Sequence, residues 1–218
     1  MSDFNTFDIF PVTLYQTNIP KNDVWEHRVI HNDWQRMGSD DCSITVSRNL
    51  FEYEEHNTKD ELNTLKNLIL NHVHKFAYEH YQISRETKFK ISSSWGVKLE
   101  PEEFVSRYHY HSNSFLSAVY YFNRIENCGG IQFERNPHLN PVVIPGFEFD
   151  YETENNYNAG VVNFEPNTGD LIIFPSHLHH KVLPNLSKRD RYSLACNIQP
   201  VGTIGPRDLA ERHIHFGK

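Results

Sequence analysis

Apolar side chains recur at helical spacing in one long segment of the N-terminal part of the chain. In NTKDELNTLKNLILNHVHKFAYEHYQ they fall three or four residues apart, as on one face of a helix: Leu62, Leu65, Ile69, Val73, Phe76 and Ala77. Thr58 and Glu61 have the spacing of a capping box, which predicts that the helix begins there. A shorter helix is predicted over NDVWEHRVIHNDWQ.

From about residue 88 the pattern changes to short segments rich in β-branched and aromatic residues, which predict strands. These segments include KFKISSSWGVKLE, FLSAVYYFN, GGIQF, AGVVNF, GDLIIFP, HKVLP and RYSLACNIQP. Two helices followed by about eight strands favour a mainly β protein, with flanking helices on one face of a double-sheet jelly roll or barrel. We expect one domain over residues 1–218: a helical and mixed part at 1–87, a β core at about 88–200 and a tail at 201–218.

The stretch from Asn136 to Ala159 is rich in asparagine, proline and acidic residues. It predicts a long loop, and loops of this length in compact domains are commonly lids or binding loops. We therefore expect it to close over a site.

Composition excludes few functions but disfavours some partners. The formal net charge is -7 and no block of basic residues is present, so no nucleic-acid partner is expected. The cysteines Cys42, Cys128 and Cys196 are widely spaced without a CxxC pair, which argues against a disulfide framework and a cysteine zinc site. No segment approaches the roughly 20 apolar residues of a membrane span, and we expect a cytoplasmic protein of unassigned oligomeric state.

The segment RYHYH places Arg107, His109 and His111 at alternate positions. In a β-strand these side chains project to the same face, so the two imidazoles can bind one metal ion. The pair alone is a weak signal, because such pairs are more often surface or structural features. A metal site therefore needs a third ligand from elsewhere in the chain.

A second cluster, FPSHLHHKVLPN, contains His177, His179 and His180. If the next strand begins near His179, Lys181 shares its face and points to water, whereas His180 shares a face with Val182 and points inward. His180 is therefore the predicted third ligand, and the other two histidines are expected to be solvated.

Arg191, in RDRYSLACN, lies in an otherwise apolar strand, where a cation is costly to bury without an anion. One interpretation is that it caps the strand end and pairs with Asp170 or Asp190. The other is that it binds a ligand carboxylate next to the metal in a bidentate contact, with the Ser193 hydroxyl as a further donor.

The order of HxH, LSAVYYFN, GGIQF, GDLIIFPSHLHHKV and RYS resembles the double-stranded β-helix of the non-haem 2-oxoglutarate and Fe(II)-dependent oxygenases. It is closest to a group of oxygenases seen in marine bacteria and phages and related to prolyl hydroxylases. The resemblance covers roughly residues 92–200. It implies Fe(II), 2-oxoglutarate as cosubstrate and O2, and a hydroxylase acting on a small-molecule or peptidyl substrate, such as a peptidyl residue or a free amino acid.

The resemblance also implies roles for individual residues. His109 becomes the first iron ligand and His180 the distal one, while Arg191 binds the far carboxylate of 2-oxoglutarate. Tyr121 falls where related hydroxylases keep a tyrosine whose hydroxyl reaches that carboxylate, and Ser193 completes an R-x-S pair.

Ser117 shares a strand face with Tyr121 and is a further candidate for cosubstrate binding. For both residues the alternative is core packing with a satisfied hydroxyl, an alternative that has more weight for Ser117.

His111 departs from the family pattern, because most of these oxygenases have an aspartate or glutamate at this position. With His111 as a ligand the site has one negative charge fewer, which should alter its redox potential and metal selectivity. The residue also argues against a halogenase, since halogenases keep a small residue there to leave room for halide.

Two other interpretations remain. A cupin-like dioxygenase or isomerase with a three-histidine metal site explains His111 but leaves Arg191, Ser193 and Tyr121 unexplained. A non-catalytic β-sandwich binding module would have a structural metal or none, and a closed coordination shell would favour it.

Overall fold

The computed structural model describes residues 8, 11–39, 42–51, 59–135, 149–205 and 214–216. Its helices are α1 (Asp23–Ile30) and α2 (Lys59–Lys75), and α2 continues into a π-helical turn at Phe76–His80. Its strands are β1 (Tyr15–Asn18), β2 (Trp34–Ser39), β3 (Cys42–Asn49), β4 (Lys88–Leu99), β5 (Phe104–His109), β6 (Leu116–Tyr121), β7 (Ile131–Glu134), β8 (Val161–Phe164), β9 (Asp170–Pro175), β10 (His180–Val182), β11 (Arg191–Ile204) and β12 (Ile214–Phe216).

The strands form two antiparallel layers that face each other. One layer has the order β1-β9-β6-β11-β4-β3, and the other has the order β5-β10-β7-β8. A short pairing of β3 with β5 joins the layers at one edge, through Cys42 opposite Val105 and Ser43 opposite Phe104. The predicted class, mainly β with flanking helices, is confirmed.

The helix α2 packs its predicted apolar face against the larger sheet. Leu65, Ile69 and Val73 are fully buried and belong to one core cluster with Leu194 and Ile198 of β11. Burial of this stripe against the sheet, more than helix propensity, stabilises α2. The proposed capping box is not tested, because Thr58 and the side chain of Glu61 lie outside the described residues.

The prediction for the shorter helix is correct at its start and wrong at its end. Asn22 caps α1, its side-chain oxygen accepting from the Val24 backbone N–H at 2.9 Å, but the helix ends at Ile30. Trp34 begins β2 because its segment pairs with β3, starting with Trp34 opposite Ser47. This sheet pairing overrides the helical pattern, and the strands β1 to β3 were not predicted. The strand β12 was not predicted either: it lies in the predicted tail and pairs there with the end of β11.

The alternation of β11 separates two cores. Leu194, Cys196 and Ile198 face the helices, whereas Ala195, on the opposite face, packs in an inner cluster between the sheets with Val97 of β4 and residues of β3 and β5. By the same alternation Arg191, Ser193, Asn197 and Gln199 share the inner face with Ala195. This inner face carries the candidate site.

Other predictions are tested only in part. The described end of the predicted loop, residues 149–159, contains no helix or strand, whereas residues 136–148 lie outside the described residues. The lid role and the single domain stay predictions. Cys128 and Cys196 are buried free thiols. Among the described residues, no helix is both long and apolar enough to span a membrane.

We expect Leu65→Ala to destabilise the protein by about 2–5 kcal/mol, because it removes a fully buried side chain between α2 and the larger sheet. Asn67→Ala is the matched control, since Asn67 is exposed on the same helix. Urea unfolding followed by circular dichroism measures both. Equal midpoints for the two variants would contradict the packing of α2 described above.

Candidate metal centre

The pairing of β5 with β10 brings two of the predicted histidines together. His109 is the last residue of β5 and lies directly opposite His180, the first residue of β10. Side chains of opposed residues in an antiparallel pair project to the same side and touch. The two imidazole ring centroids are accordingly 4.4 Å apart.

His111 reaches the same point by a different route from the one predicted. The strand β5 ends at His109, so alternation within a strand does not place His111. Instead its backbone N–H donates to the carbonyl of Ser176 at 2.9 Å, which fixes the chain just beyond the strand end. Its ring lies nearly parallel to that of His180, with centroids 5.1 Å apart and 8° between the planes. Arg107, expected on the same face, is exposed.

The three imidazoles form a compact donor set. One nitrogen from each of His109, His111 and His180 lies within 4.8 Å of the others. The Nε2 atoms of His111 and His180 are 3.3 Å apart. Two metal–nitrogen bonds of about 2.1 Å that meet at a right angle place their nitrogens about 3 Å apart, so this spacing fits two ligands of one ion.

Hydrogen bonds set the tautomers of two of these rings. The Nδ1 of His109 donates to the Arg107 carbonyl at 3.3 Å, and the Nδ1 of His180 donates to the Leu178 carbonyl at 2.9 Å. With the proton on Nδ1, each Nε2 has a free lone pair, as a metal ligand requires.

Burial keeps the three rings in the neutral form. Loss of solvent lowers the pKa of His109, that of His111 to about 4 and that of His180 to about 3. Repulsion between neighbouring imidazolium groups is a smaller cause of the lowered pKa of His111 and His180, and the Arg107 cation is a smaller cause for His109. Neutral imidazole is the form that binds divalent metals.

The other two histidines of the second cluster face water. His177 and His179 are exposed, whereas His180 is buried, as strand alternation predicts. His179 stacks on Tyr110 with ring centroids 5.4 Å apart, and its Nδ1 lies 3.4 Å from a carboxylate oxygen of Glu134. Neither ring is part of the donor set.

Aromatic residues that the sequence did not single out hold the rings in place. Trp95 of β4 stacks on His111, with centroids 5.6 Å apart and 26° between the planes. Phe174 of β9 meets His180 edge-on at 4.9 Å. The sequence places Trp95 in a strand, but the contact depends on which strands neighbour each other, and no local pattern gives that.

Arg191 is a buried cation without a carboxylate partner among the described residues. Only 2% of its surface is exposed. One terminal nitrogen, Nη1, donates to the Gly129 carbonyl at 3.1 Å, while its Nε has no hydrogen-bond partner. Burial lowers the pKa of this guanidinium, which shows the cost of its isolation. An anion at this point would relieve that cost.

The strand-capping interpretation of Arg191 finds no support in these contacts. The carboxylate of Asp170 accepts from Gln16 and Asn18 at 2.9 Å each. That of Asp190 lies 3.3 Å from the Lys98 ammonium and accepts from the Tyr192 hydroxyl. Both acids are therefore satisfied by groups other than Arg191.

The remaining candidates divide into two groups. Tyr121 and Ser193 are buried and lie opposite each other on β6 and β11, and the Arg191 guanidinium lies 5.7 Å from the Tyr121 ring centroid. Burial raises the pKa of the Tyr121 hydroxyl to about 12, so it stays a hydrogen-bond donor. Ser117 instead hydrogen-bonds Ser176 at 2.8 Å, which favours the packing alternative for this residue.

Comparison with known proteins agrees with this architecture. Residues 93–197 match the family model described as "Putative 2OG-Fe(II) oxygenase". The resemblance of the chain to the 2-oxoglutarate and Fe(II)-dependent oxygenases is thereby confirmed. That family takes Fe(II), 2-oxoglutarate and O2, in agreement with the cofactor prediction. No curated protein sequence matches the chain.

Solved structures at low identity share the fold. The epimerase SnoN from nogalamycin biosynthesis has a TM-score of 0.61 at 14% identity, covering 92% of this chain and 84% of its own. HygX from Streptomyces hygroscopicus, solved with nickel, 2-oxoglutarate and hygromycin B, has a TM-score of 0.58 at 12% identity over 87% and 83%. A Pseudomonas putida prolyl-4-hydroxylase has a TM-score of 0.55 at 15% identity over 86% and 92%. The predicted jelly roll is thus confirmed.

We expect the metal-free protein to bind one Fe(II) per chain, or Mn(II), Co(II) or Ni(II) in its place, because neutral imidazoles in this arrangement suit all these ions. His180→Ala should abolish binding, whereas His179→Ala should leave it intact. Isothermal titration calorimetry measures both. The reverse order of effects would refute the assignment of His180 to the donor set.

The stack of Trp95 on His111 predicts a spectroscopic signal. Co(II) should quench part of the tryptophan fluorescence, and Trp95→Phe should remove that part, whereas Trp34→Phe should not. Trp95→Ala should weaken Co(II) binding about 2- to 12-fold, the range expected for loss of one aromatic pair, while Trp95→Phe keeps a ring and should largely restore it. Unchanged quenching in Trp95→Phe would contradict the contact.

Proposed function

We propose that the protein is a non-haem Fe(II) and 2-oxoglutarate-dependent dioxygenase that hydroxylates a peptidyl or free amino-acid-like substrate. In this proposal His109, His111 and His180 hold the metal and Arg191 binds the cosubstrate. The observation that carries it is the buried Arg191 guanidinium, which no described carboxylate neutralises and which lies on the same inner face as the donor set.

The spacing along β11 supports this division of roles. Ala195 lies opposite Trp95, whose ring stacks on His111, so the donor set is level with Ala195. Arg191 lies four residues earlier on the strand, about 13 Å away at the rise of a β-strand. The arginine side chain and a five-carbon dicarboxylate can fill that distance together.

The residues present fit both groups. Three neutral imidazoles each offer one ring nitrogen to a divalent ion, and the guanidinium offers a planar pair of donors to the far carboxylate. The neutral Tyr121 hydroxyl and the Ser193 hydroxyl are further proposed donors to that carboxylate. Burial of Arg191 strengthens the contact, since a charge-assisted hydrogen bond is stronger where water is excluded.

When bound, Fe(II) with O2 and 2-oxoglutarate supplies the oxidant: one oxygen atom enters the substrate C–H bond as hydroxyl, and the other enters succinate as CO2 leaves. The chain provides position and exclusion of water, and the hard chemistry belongs to the bound groups. Phe174 and Trp95 contribute to this exclusion by covering His180 and His111.

Hydroxylation is the finer part of the proposal. It draws on the resemblance to prolyl hydroxylases, and the prolyl-4-hydroxylase among the similar folds supports it. The epimerase SnoN has a similar fold, so fold alone does not determine the reaction.

Arg191→Gln separates this proposal from a cupin-like enzyme or a binding module. The variant should keep metal affinity but lose about 2–5 kcal/mol of 2-oxoglutarate binding, the scale of losing one partner of a buried charge pair. The measurement is a titration of 2-oxoglutarate into anaerobic Fe(II) protein, followed by the visible metal-to-ligand charge-transfer band, together with succinate release in air.

Arg124→Gln is the matched control, because Arg124 pairs with Glu165 outside the site. A wild-type protein with neither the band nor succinate would refute the oxygenase proposal. Equal 2-oxoglutarate affinity in wild type and Arg191→Gln would refute only the role of Arg191.

A further inference from the structure

A cavity of about 460 Å³ opens on the inner face, at the end that lies farther from Arg191. Its volume lies in the range of small-molecule sites. Apart from Ile91, the side chains that line it are polar, and they include Lys90, Ser93, Ser112, Asn113, Asn197 and Gln199.

The register of the strands places this cavity beside the donor set. Ser112 and Asn113 directly follow His111 in the chain. Ser93 lies opposite Asn197, two residues along from the pair of Trp95 with Ala195 that is level with the donor set. The order along the inner face of β11 is therefore Arg191, then the donor set at Ala195, then the cavity at Asn197 and Gln199.

We propose that this cavity binds the molecule that is oxidised, and that this molecule is a small polar compound presenting several hydroxyl or amide groups. This inference rests on the proposed function, since it assigns Arg191 and its end of the inner face to 2-oxoglutarate. One inner face then holds two organic molecules on opposite sides of one metal ion.

The lining groups define the class of compound. Within the described part of the chain, the hydroxyls of Ser93 and Ser112 form no hydrogen bond to protein, so both can donate to a ligand. Asn197 accepts a long hydrogen bond of 3.5 Å from Ser117 through its side-chain oxygen, which leaves its amide N–H groups for a ligand. The Gln199 amide donates to the Asn113 carbonyl at 2.5 Å, which ties the two walls of the cavity together.

An apolar ring would be a poor occupant. Enclosing a proline or phenylalanine side chain would remove water from the serine and amide groups without replacing their hydrogen bonds, and each buried unsatisfied group costs free energy. Sites built from such groups reject analogues that lack the matching polar atoms. The cavity therefore favours a polar amino acid over a prolyl residue, and its polar lining equally suits an amino sugar, which goes beyond the substrate class of the proposed function.

The test uses anaerobic full-length protein loaded with Fe(II) and 2-oxoglutarate. The polar probes are serine, glutamine, glucosamine and N-acetylglucosamine, and the ring probes are proline, phenylalanine and the tripeptide Gly-Pro-Gly. Binding of each probe at millimolar concentration is measured by the change in the visible charge-transfer band and by the shift in Tm. At least one polar probe should bind to wild type, and the ring probes should not.

Two variants assign the binding to the cavity. Asn197→Leu removes the amide at nearly constant volume, and Ser112→Phe, at an exposed turn position, extends a ring into the cavity. Each variant should weaken binding of the polar probe about tenfold or more, which is the scale of one lost hydrogen-bonding group. Ser84→Phe, on an exposed turn outside the cavity, is the matched control and should bind the probe as wild type does.

The outcomes separate the two proposals. Three results, each obtained with a normal 2-oxoglutarate band, would overturn the cavity assignment alone. The first is that no polar probe binds, and the second is that only ring probes bind. The third is that a polar probe binds equally to wild type and to both cavity variants. Absence of the band in wild type would overturn the proposed function, and the cavity assignment with it.

Discussion

The two-sided pairing of β11 is the constraint on which the rest of the structure depends. This strand pairs with β4 on one side and β6 on the other, so its orientation is fixed along most of its length. Alternate residues then face either the helices or the space between the sheets. A shift of one residue would turn every side chain of β11 to the opposite face. Leu194 would then point into the inner space, and Arg191 and Ser193 would point toward the helices. Burial of the apolar face therefore holds the polar face in register.

Burial has opposite consequences for the two kinds of charged group on the inner face. It removes the proton from His111 and His180, which can become neutral and so avoid the cost of an isolated charge. Arg191 cannot become neutral in the same way, because the pKa of a guanidinium lies too high for it to lose its proton. The same exclusion of water thus keeps the imidazoles neutral, as a metal cation requires, and keeps Arg191 as a permanent cation that can attract an anion.

The sequence was sufficient wherever one strand's own alternation decides the outcome. His180 was separated from His177 and His179 in this way, and each strand segment proposed between residues 88 and 200 coincides with a strand. It failed where neighbours in space decide. The segment at Trp34 has a helical pattern but pairs with β3, and His111 is placed by the Ser176 carbonyl beyond the end of its strand. The stack of Trp95 on His111 depends on the order of strands in the sheet, which no local pattern contains.

His111 changes the charge of the proposed centre as well as its shape. The net charge of the occupied centre would be +1, from a divalent ion, the Arg191 cation and a dicarboxylate dianion, since the three imidazoles are neutral. A carboxylate ligand in place of His111 would bring this net charge to zero. In a site shielded from water that surplus is poorly screened. It strengthens attraction of the dianion and favours a neighbouring molecule that presents electron-rich oxygen atoms. The hydroxyl and amide lining beyond His111 suits a molecule of that kind, so the unusual ligand and the polar cavity are consistent with each other.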